Sequence, residues 1–285
     1  MNNYIRHIHF CNQWNPNNFI PFMVNHQQLG WMRPTFAVQL HRFPATFIVS
    51  ETQVMLHPSL DSFELRNAAI AETLDQLVAE DLLDHVMGEL FPVVANWGEK
   101  PAFLLDRAAV SVFGVCSFGQ HLNGIVATES GTSMWIGKRA LDRHTFPGQL
   151  DQMVAGGLPH GIPREVNLAK ECAEEAGMTQ ELAASAIATG HISYRRETEA
   201  GLRTDTIFCY DIALPSTFSP QNTDGEVAEF HLWPLEEVMR VVRETDDFKP
   251  NCNLVVIDFL LRHGLITAGH PEYDELVSGL RFSEN

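Results

Sequence analysis

A tight run of like charge constrains this chain more than any other feature. Residues 170–177 read Lys170-Glu171-Cys172-Ala173-Glu174-Glu175-Ala176-Gly177. Carboxylates one turn apart on a helix repel each other. At about 100° per residue, Glu171, Glu174 and Glu175 fall on one arc of a helix, and Leu168, Cys172 and Ala176 on a neighbouring arc able to face a core. Gly177 stands where a helix ends, because glycine accepts the left-handed conformation. Taken alone, the string reads as the solvated acidic face of an amphipathic helix. The cluster becomes favourable when a hard divalent cation sits in it, since Mg²⁺ takes oxygen ligands and suits carboxylates. Ala155-Gly156-Gly157, a short loop upstream, and the elements downstream tip the reading toward metal binding.

The chain has 285 residues, a length that fits two domains better than one. Its hydrophobic fraction of 45% allows a large core. The formal net charge is −17, so its surface repels the phosphates of nucleic acid, and no nucleic-acid partner is expected. An anionic diphosphate would be repelled too, unless bound cations and local Arg or Lys reverse the field. The cysteines, Cys11, Cys116, Cys172, Cys209 and Cys252, are odd in number and scattered. They suit neither a disulfide framework nor a zinc site; a reducing cytoplasm is the natural setting. The first residues lack an apolar signal region, and no apolar run reaches the length of a membrane span. A soluble cytoplasmic protein without a membrane partner is therefore expected.

Residues 1 to about 60 are rich in aromatics, Pro and Asn, which disfavours long helices. Phe36–Leu40 and Phe47–Val49 read as short strands. Asp61 or Ser62 is placed to cap a helix through Phe63, Leu65, Ala68, Leu74 and Leu77. A second helical stretch is expected from Glu80 to about Leu90, and a short one over Arg107–Phe113. Strands are expected over Leu122–Ala127, Met134–Arg139, Ile187–Tyr194, Thr206–Ile212 and Glu229–Trp233. Leu235–Val242 and Cys252–His263 read as helices. Strands with interposed helices indicate an α/β domain from about residue 120.

Residues 135 to 240 resemble the Nudix hydrolase superfamily. Its box is commonly written G-x5-E-x7-R-E-U-x-E-E-x-G-U, with U a bulky apolar residue. Here Lys170 stands in the Arg place, Glu171 in the first Glu, Cys172 in U, Glu174 and Glu175 in the Glu pair, and Gly177-Met178 close the motif. Gly156-Gly157 supplies the opening glycine. The first half departs from the pattern: the early glutamate should fall near Ile162 or Pro163, and Glu165 is displaced along the loop. Lys also lacks the bidentate fork of Arg. The run Pro147–Gly157, Phe113-Gly114, His121–Gly124 and Phe218–Val227 are similar to one branch of the superfamily, whose members carry a helper domain first and in some fungi are joined to a thiamin pyrophosphokinase.

The resemblance implies an α/β fold: a Nudix α/β/α sandwich with a mixed sheet over 119–285, preceded by a small α+β N-terminal domain over 1–118. It implies a Mg²⁺-dependent pyrophosphohydrolase, with Mn²⁺ as a substitute. Glu171, Glu174 and Glu175 would ligate the metal, and the Gly156 carbonyl would add an oxygen. Glu226, in Asp224-Gly225-Glu226-Val227, is the candidate for a later catalytic carboxylate; otherwise it is a turn residue before a strand. For the substrate's phosphates, Lys138 and Arg139 after one strand and Arg195 and Arg196 near a loop are candidates, a solvated hairpin being the alternative. Trp135, Tyr194 and Phe208 are candidates for stacking on an aromatic ring, although such residues in strands usually pack a core. His7 and His9 fit one strand face. No P-loop pattern occurs, so the fungal partner's kinase activity is not implied.

The branch suggests thiamin diphosphate or its oxidised analogues as the small-molecule diphosphate, cleaved to the monophosphate. A nucleotide-sugar or dinucleotide diphosphate of the ADP-ribose or NADH type is the second enzymatic reading. A ligand-binding regulatory module with weak catalysis is the third, against which stand three mutually repelling carboxylates that a pure sensor need not keep. The first 115 residues are open to covering the substrate mouth or to forming a homodimer.

Overall fold

The computed structural model describes residues 3–129 and 131–282. Its centre is a mixed sheet in the order β11 (Ile187–Glu197), β12 (Leu202–Leu214), β7 (Cys116–Thr128), β8 (Gly131–Arg139) and β13 (Val227–Pro234). β7 and β12 run parallel, and the other neighbours are antiparallel. Two short strands, β9 (Leu150–Gln152) and β10 (Val154–Gly157), pair with β8 and β7. Successive side chains of a strand point to opposite faces. Phe118, Leu122, Phe208 and Tyr210 therefore meet the helix Arg164–Ala176 on one face. Ile192, Tyr194, Ile207 and Cys209 meet the helices Leu235–Glu244 and Pro250–Arg262 on the other.

The N-terminal region builds a second core. β1 (Ile20–Val24), β2 (Gln27–Met32), β3 (Phe47–Val49) and β4 (Val54–Leu56) form a sheet in the order β2-β1-β4-β3. The helix Phe63–Ala79 and the hairpin β5 (Leu90–Val93) with β6 (Phe103–Asp106) enclose Phe22, Phe103 and Phe113. Ser62 caps that helix, accepting from the Leu65 N–H at 3.1 Å, as its residue type predicts.

Three expectations need correction. Phe36–Leu40 is not a strand but a turn of helix passing into 3₁₀ geometry, opened by Pro34, a residue preset for the first helical position. No helix spans Glu80–Leu90, where the chain is irregular before β5. Asp106 explains part of this, since its carboxylate accepts from the Met87 and Gly88 N–H groups at 3.0 and 2.7 Å. His7 and His9 lie on the helix Ile5–Cys11, not on a strand. That helix packs through Ile5, Ile8 and Cys11 into the C-terminal core.

Candidate active site

The acidic helix spans Arg164–Ala176. Gly177 ends it with φ of 61°, and the Gly177 and Met178 N–H groups donate to the carbonyls of Ala173 and Cys172. A downstream loop takes further carbonyls of the last turn. Gln221 N–H donates to Ala176 O at 3.1 Å and Thr223 N–H to Glu174 O at 2.9 Å. The loop that carries Glu226 is thus tied to the end of the acidic helix.

Two of the three carboxylates, Glu171 and Glu175, converge on β10. Glu175 is 5% exposed, and its Oε2 accepts from the Ala155 N–H at 2.7 Å. Burial pushes its pKa up to about 8, with repulsion from Asp151, Glu171 and Glu226 adding to the shift and the Ala155 bond opposing it. Glu171 lies over Gly156, where a Cβ would stand 2.4 Å from its carboxyl carbon. Its pKa is raised by burial and by Glu174, against the pull of Lys170. Glu174 is the more open of the three and pairs with Lys170 Nζ at 2.9 Å. Lys170 thus meets the carboxylates as a point charge rather than a fork. Glu226 pairs with Arg143 at 2.8 Å, and its charge is felt by both Glu171 and Glu175.

A different pair braces the helix where the early box glutamate is missing. Asn167 is buried, and its Nδ2 donates to Gln120 Oε1 and to the Gly157 carbonyl, both at 2.9 Å. Gln120 Nε2 in turn donates to Arg164 O at 2.9 Å and Tyr210 Oη at 3.1 Å. This network binds the first turn of the helix to β7, β10 and β12. Sequence reasoning missed it, although Gln120 and Asn167 are amides at positions facing a core. It also missed Arg107 and Glu89, paired at 2.7 Å beside Gly157.

A metal fits the acidic cluster. The donors are hard carboxylate oxygens suited to Mg²⁺, and the glycine at 156 leaves room for Glu171 against the strand. A second cluster, His121, Asp151 and Cys252, has ligand atoms within 4.8 Å of one another, but does not suit a cation. Asp151 already pairs with Lys249 at 2.9 Å and Arg139 at 3.1 Å. Burial drives the Cys252 thiol well above its usual range and, with Lys249, lowers His121 to about 4. The thiol stays protonated and donates to Asp151 at 2.8 Å. With Asp151 held by two cations, this group is a polar tie between β9 and the helix Pro250–Arg262.

The proposed phosphate-binding cations are scattered by the fold. Arg139 is a correction: it is 9% exposed, and its guanidinium is engaged by Asp151 and the Thr145 carbonyl. Lys138 stays at the surface beside Glu229, 3.4 Å away. Arg195 and Arg196 lie within β11, not in a hairpin loop, and face opposite sides of the sheet. Arg195 stacks on Phe282 at 4.2 Å and Arg196 on Phe10 at 4.8 Å. Of the stacking candidates, Tyr194 is buried with its hydroxyl on Asp205, and Trp135 packs against the sheet–helix core. Phe208 lines a cavity.

Comparison with known proteins places this geometry. Over 265 residues the chain is 42% identical to Nudix hydrolase 24, chloroplastic, of Arabidopsis thaliana, an alignment covering 92% of this chain and 73% of that one. The chain belongs to the Nudix hydrolases. Nudix hydrolase 20, chloroplastic, of the same plant is 40% identical over 272 residues, with the same two shares. An uncharacterized protein of Saccharomyces cerevisiae is 35% identical over 254 residues, covering 83% of this chain and 73% of its own. Residues 3–117 match a family described as a domain of unknown function (DUF4743). Among solved structures, DR0079 from Deinococcus radiodurans aligns over 59% of this chain and 95% of its own, at a TM-score of 0.42 and 18% identity. The protein is a Nudix enzyme acting on phosphoanhydride bonds, on the α/β fold with a separate N-terminal unit.

Proposed function

We propose that this Nudix hydrolase is Mg²⁺-dependent and cleaves a small molecule carried on a diphosphate, with thiamin diphosphate or its oxidised analogues as the leading substrates and the monophosphate as product. The observation that carries the reading is the convergence of Glu171 and Glu175 on the backbone of β10, at Gly156 and Ala155. Glu171, Glu174 and Glu175 would hold the cation, with the Gly156 carbonyl beside them. When bound, the metal supplies charge neutralisation at phosphate oxygens, the main demand of phosphoryl chemistry.

The chain's own groups do the rest. Gly156 admits Glu171 to the strand. Ala155 fixes one oxygen of Glu175, leaving the other for a ligand. Lys170 holds Glu174 at 2.9 Å, which orients that carboxylate and offsets the repulsion among the three glutamates. Glu226 accepts the proton of the attacking water, a role that needs reach before pKa. Arg143, paired with Glu226, and Arg107, beside Gly157, are positioned to offset substrate charge in a strongly acidic protein.

Phosphate release from thiamin diphosphate, ADP-ribose, NADH and UDP-glucose with Mg²⁺, the nucleotides followed by a phosphatase that acts on the products, tests this reading. Turnover of thiamin diphosphate or an oxidised analogue above the others supports it. Preferred turnover of the nucleotides replaces the substrate class. No turnover of any compound replaces the enzyme reading of this site with a binding one.

A further inference from the structure

Arg164 opens the acidic helix. The residue is half-buried, and its guanidinium carbon stands over the ring of Phe208, 4.6 Å from the ring centre. Among the described residues no carboxylate pairs with Arg164, whereas Arg107, Arg139 and Arg143 each hold one. The chain has 36 acidic residues against 19 Lys and Arg, yet this cation rests on an aromatic face instead. The helix does not favour it there, because the positive end of the macrodipole opposes a cation in the first turn.

The backbone at this point is fixed. Buried Gln120 donates to the Arg164 carbonyl at 2.9 Å and accepts from Asn167 in the same turn. Glu171 and Glu175 follow Arg164 by seven and eleven positions. At about 100° per residue, both fall within about 20° of it around the helix. Glu171 is about 10 Å further along the axis, at 1.5 Å per residue. Arg164 therefore heads the stripe that carries the carboxylates converging on β10. Phe208, beneath it, is also a wall of a cavity of about 700 Å³ between the N-terminal unit and the central sheet, with Trp97 and Phe118. The guanidinium stands where that cavity meets the acidic helix.

Resting on the hydrolase reading above, we propose that Arg164 is a substrate-binding residue, whose guanidinium holds the diphosphate at the head of the acidic stripe. A guanidinium presents N–H groups in a planar fork that matches two phosphate oxygens. The face of Phe208 supports the cation through the ring quadrupole and takes none of those donors. Arg107 and Arg143 each have a carboxylate competing with phosphate for their N–H groups; Arg164 has none to displace. Its field also draws an anion into a site that the protein's net charge would otherwise oppose.

The test is calorimetric binding of methylenediphosphonate, whose P–C–P bridge resists hydrolysis, to the full-length protein in Mg²⁺. Arg164→Ala should weaken binding at least about tenfold, the scale of a lost hydrogen bond to a charged group. Arg164→Met keeps an apolar stem over Phe208 without the charge and should weaken binding as much. Arg164→Lys, a cation without the fork, should recover part of the loss. Mn²⁺ affinity measured without the diphosphonate should stay within about twofold in all three variants, because residues that far apart act independently. Wild-type affinity for the diphosphonate in Arg164→Met, an equal loss of Mn²⁺ and diphosphonate affinity, or no saturable binding by the wild type overturns the proposal. Failure of the hydrolase reading looks different: the diphosphonate binds through Arg164, yet none of the diphosphates named above is turned over with Mg²⁺.

Discussion

Glu171 lies so close over Gly156 that a Cβ at 156 would meet its carboxyl carbon at 2.4 Å and its Oε2 at 2.8 Å. The atoms met belong to the end of a flexible side chain, so the fold can yield while the carboxylate cannot stay. Gly156→Ala should therefore shift the melting temperature by no more than about 4 °C, roughly 1 kcal/mol for a chain of this size. Its kcat should fall at least about a hundredfold, the usual scale for losing a preorganised charge-stabilising group. Thermal melts and steady-state rates on the same preparation check the split.

Glu175 links the site to stability. Burial, then its acidic neighbours, raise its pKa from the usual 4.5 to about 8. The folded metal-free protein therefore binds more protons than the unfolded chain between those values. Stability should fall as pH rises from about 4.5 to about 8 and level off above. The contribution is on the order of 5 kcal/mol. Denaturant titrations in EDTA should show this slope, and both Glu175→Gln and added Mg²⁺ should flatten it.

Asn167 carries the brace that the early glutamate would have given. Its removal leaves Gln120 Oε1 and the Gly157 carbonyl without their 2.9 Å donor. Asn167→Ala should cost about 1–3 kcal/mol, the range for a buried polar group left unsatisfied, measured by chemical denaturation. Because the helix then shifts against β10, kcat should drop while the affinity for substrate changes little.

Glu226 is on a loop held to the last turn of the acidic helix by Gln221 and Thr223. Glu226→Gln should lower kcat by about 10²–10⁴, the span for a general base, and leave the Mg²⁺ concentration needed for half-maximal rate within about twofold. An equal loss in metal affinity would assign Glu226 to the metal rather than to the proton.

Much of the central sheet was readable because its strands alternate apolar and polar residues or are rich in β-branched side chains. The helix Phe63–Ala79 announced itself through Ser62, and the acidic helix through Gly177. Short elements were less legible. β9 and β10 have three and four residues and owe their form to pairing with long neighbours. The helix Ile5–Cys11 packs against segments more than 230 residues away, which no local pattern encodes. The acidic cluster was legible from like charges crowded on one arc. Arg139 was misread because a basic residue at a strand end resembles a surface cation; its partner Asp151 is twelve residues on and reaches it only through the β8–β9 pairing. Of the aromatic residues that line the cavity beside the central sheet, Phe208 stood out in the sequence, whereas Trp97 and Phe118 come from other elements and did not.

The central claim is that Glu171, Glu174 and Glu175 clasp a divalent cation. Its most direct test is Mn²⁺ binding followed by electron paramagnetic resonance of the free ion. The wild-type protein should bind saturably, Mg²⁺ should compete, and Glu174→Gln and Glu175→Gln should each weaken binding at least about tenfold. Unaltered Mn²⁺ binding in both variants, or none in the wild type, would contradict the account.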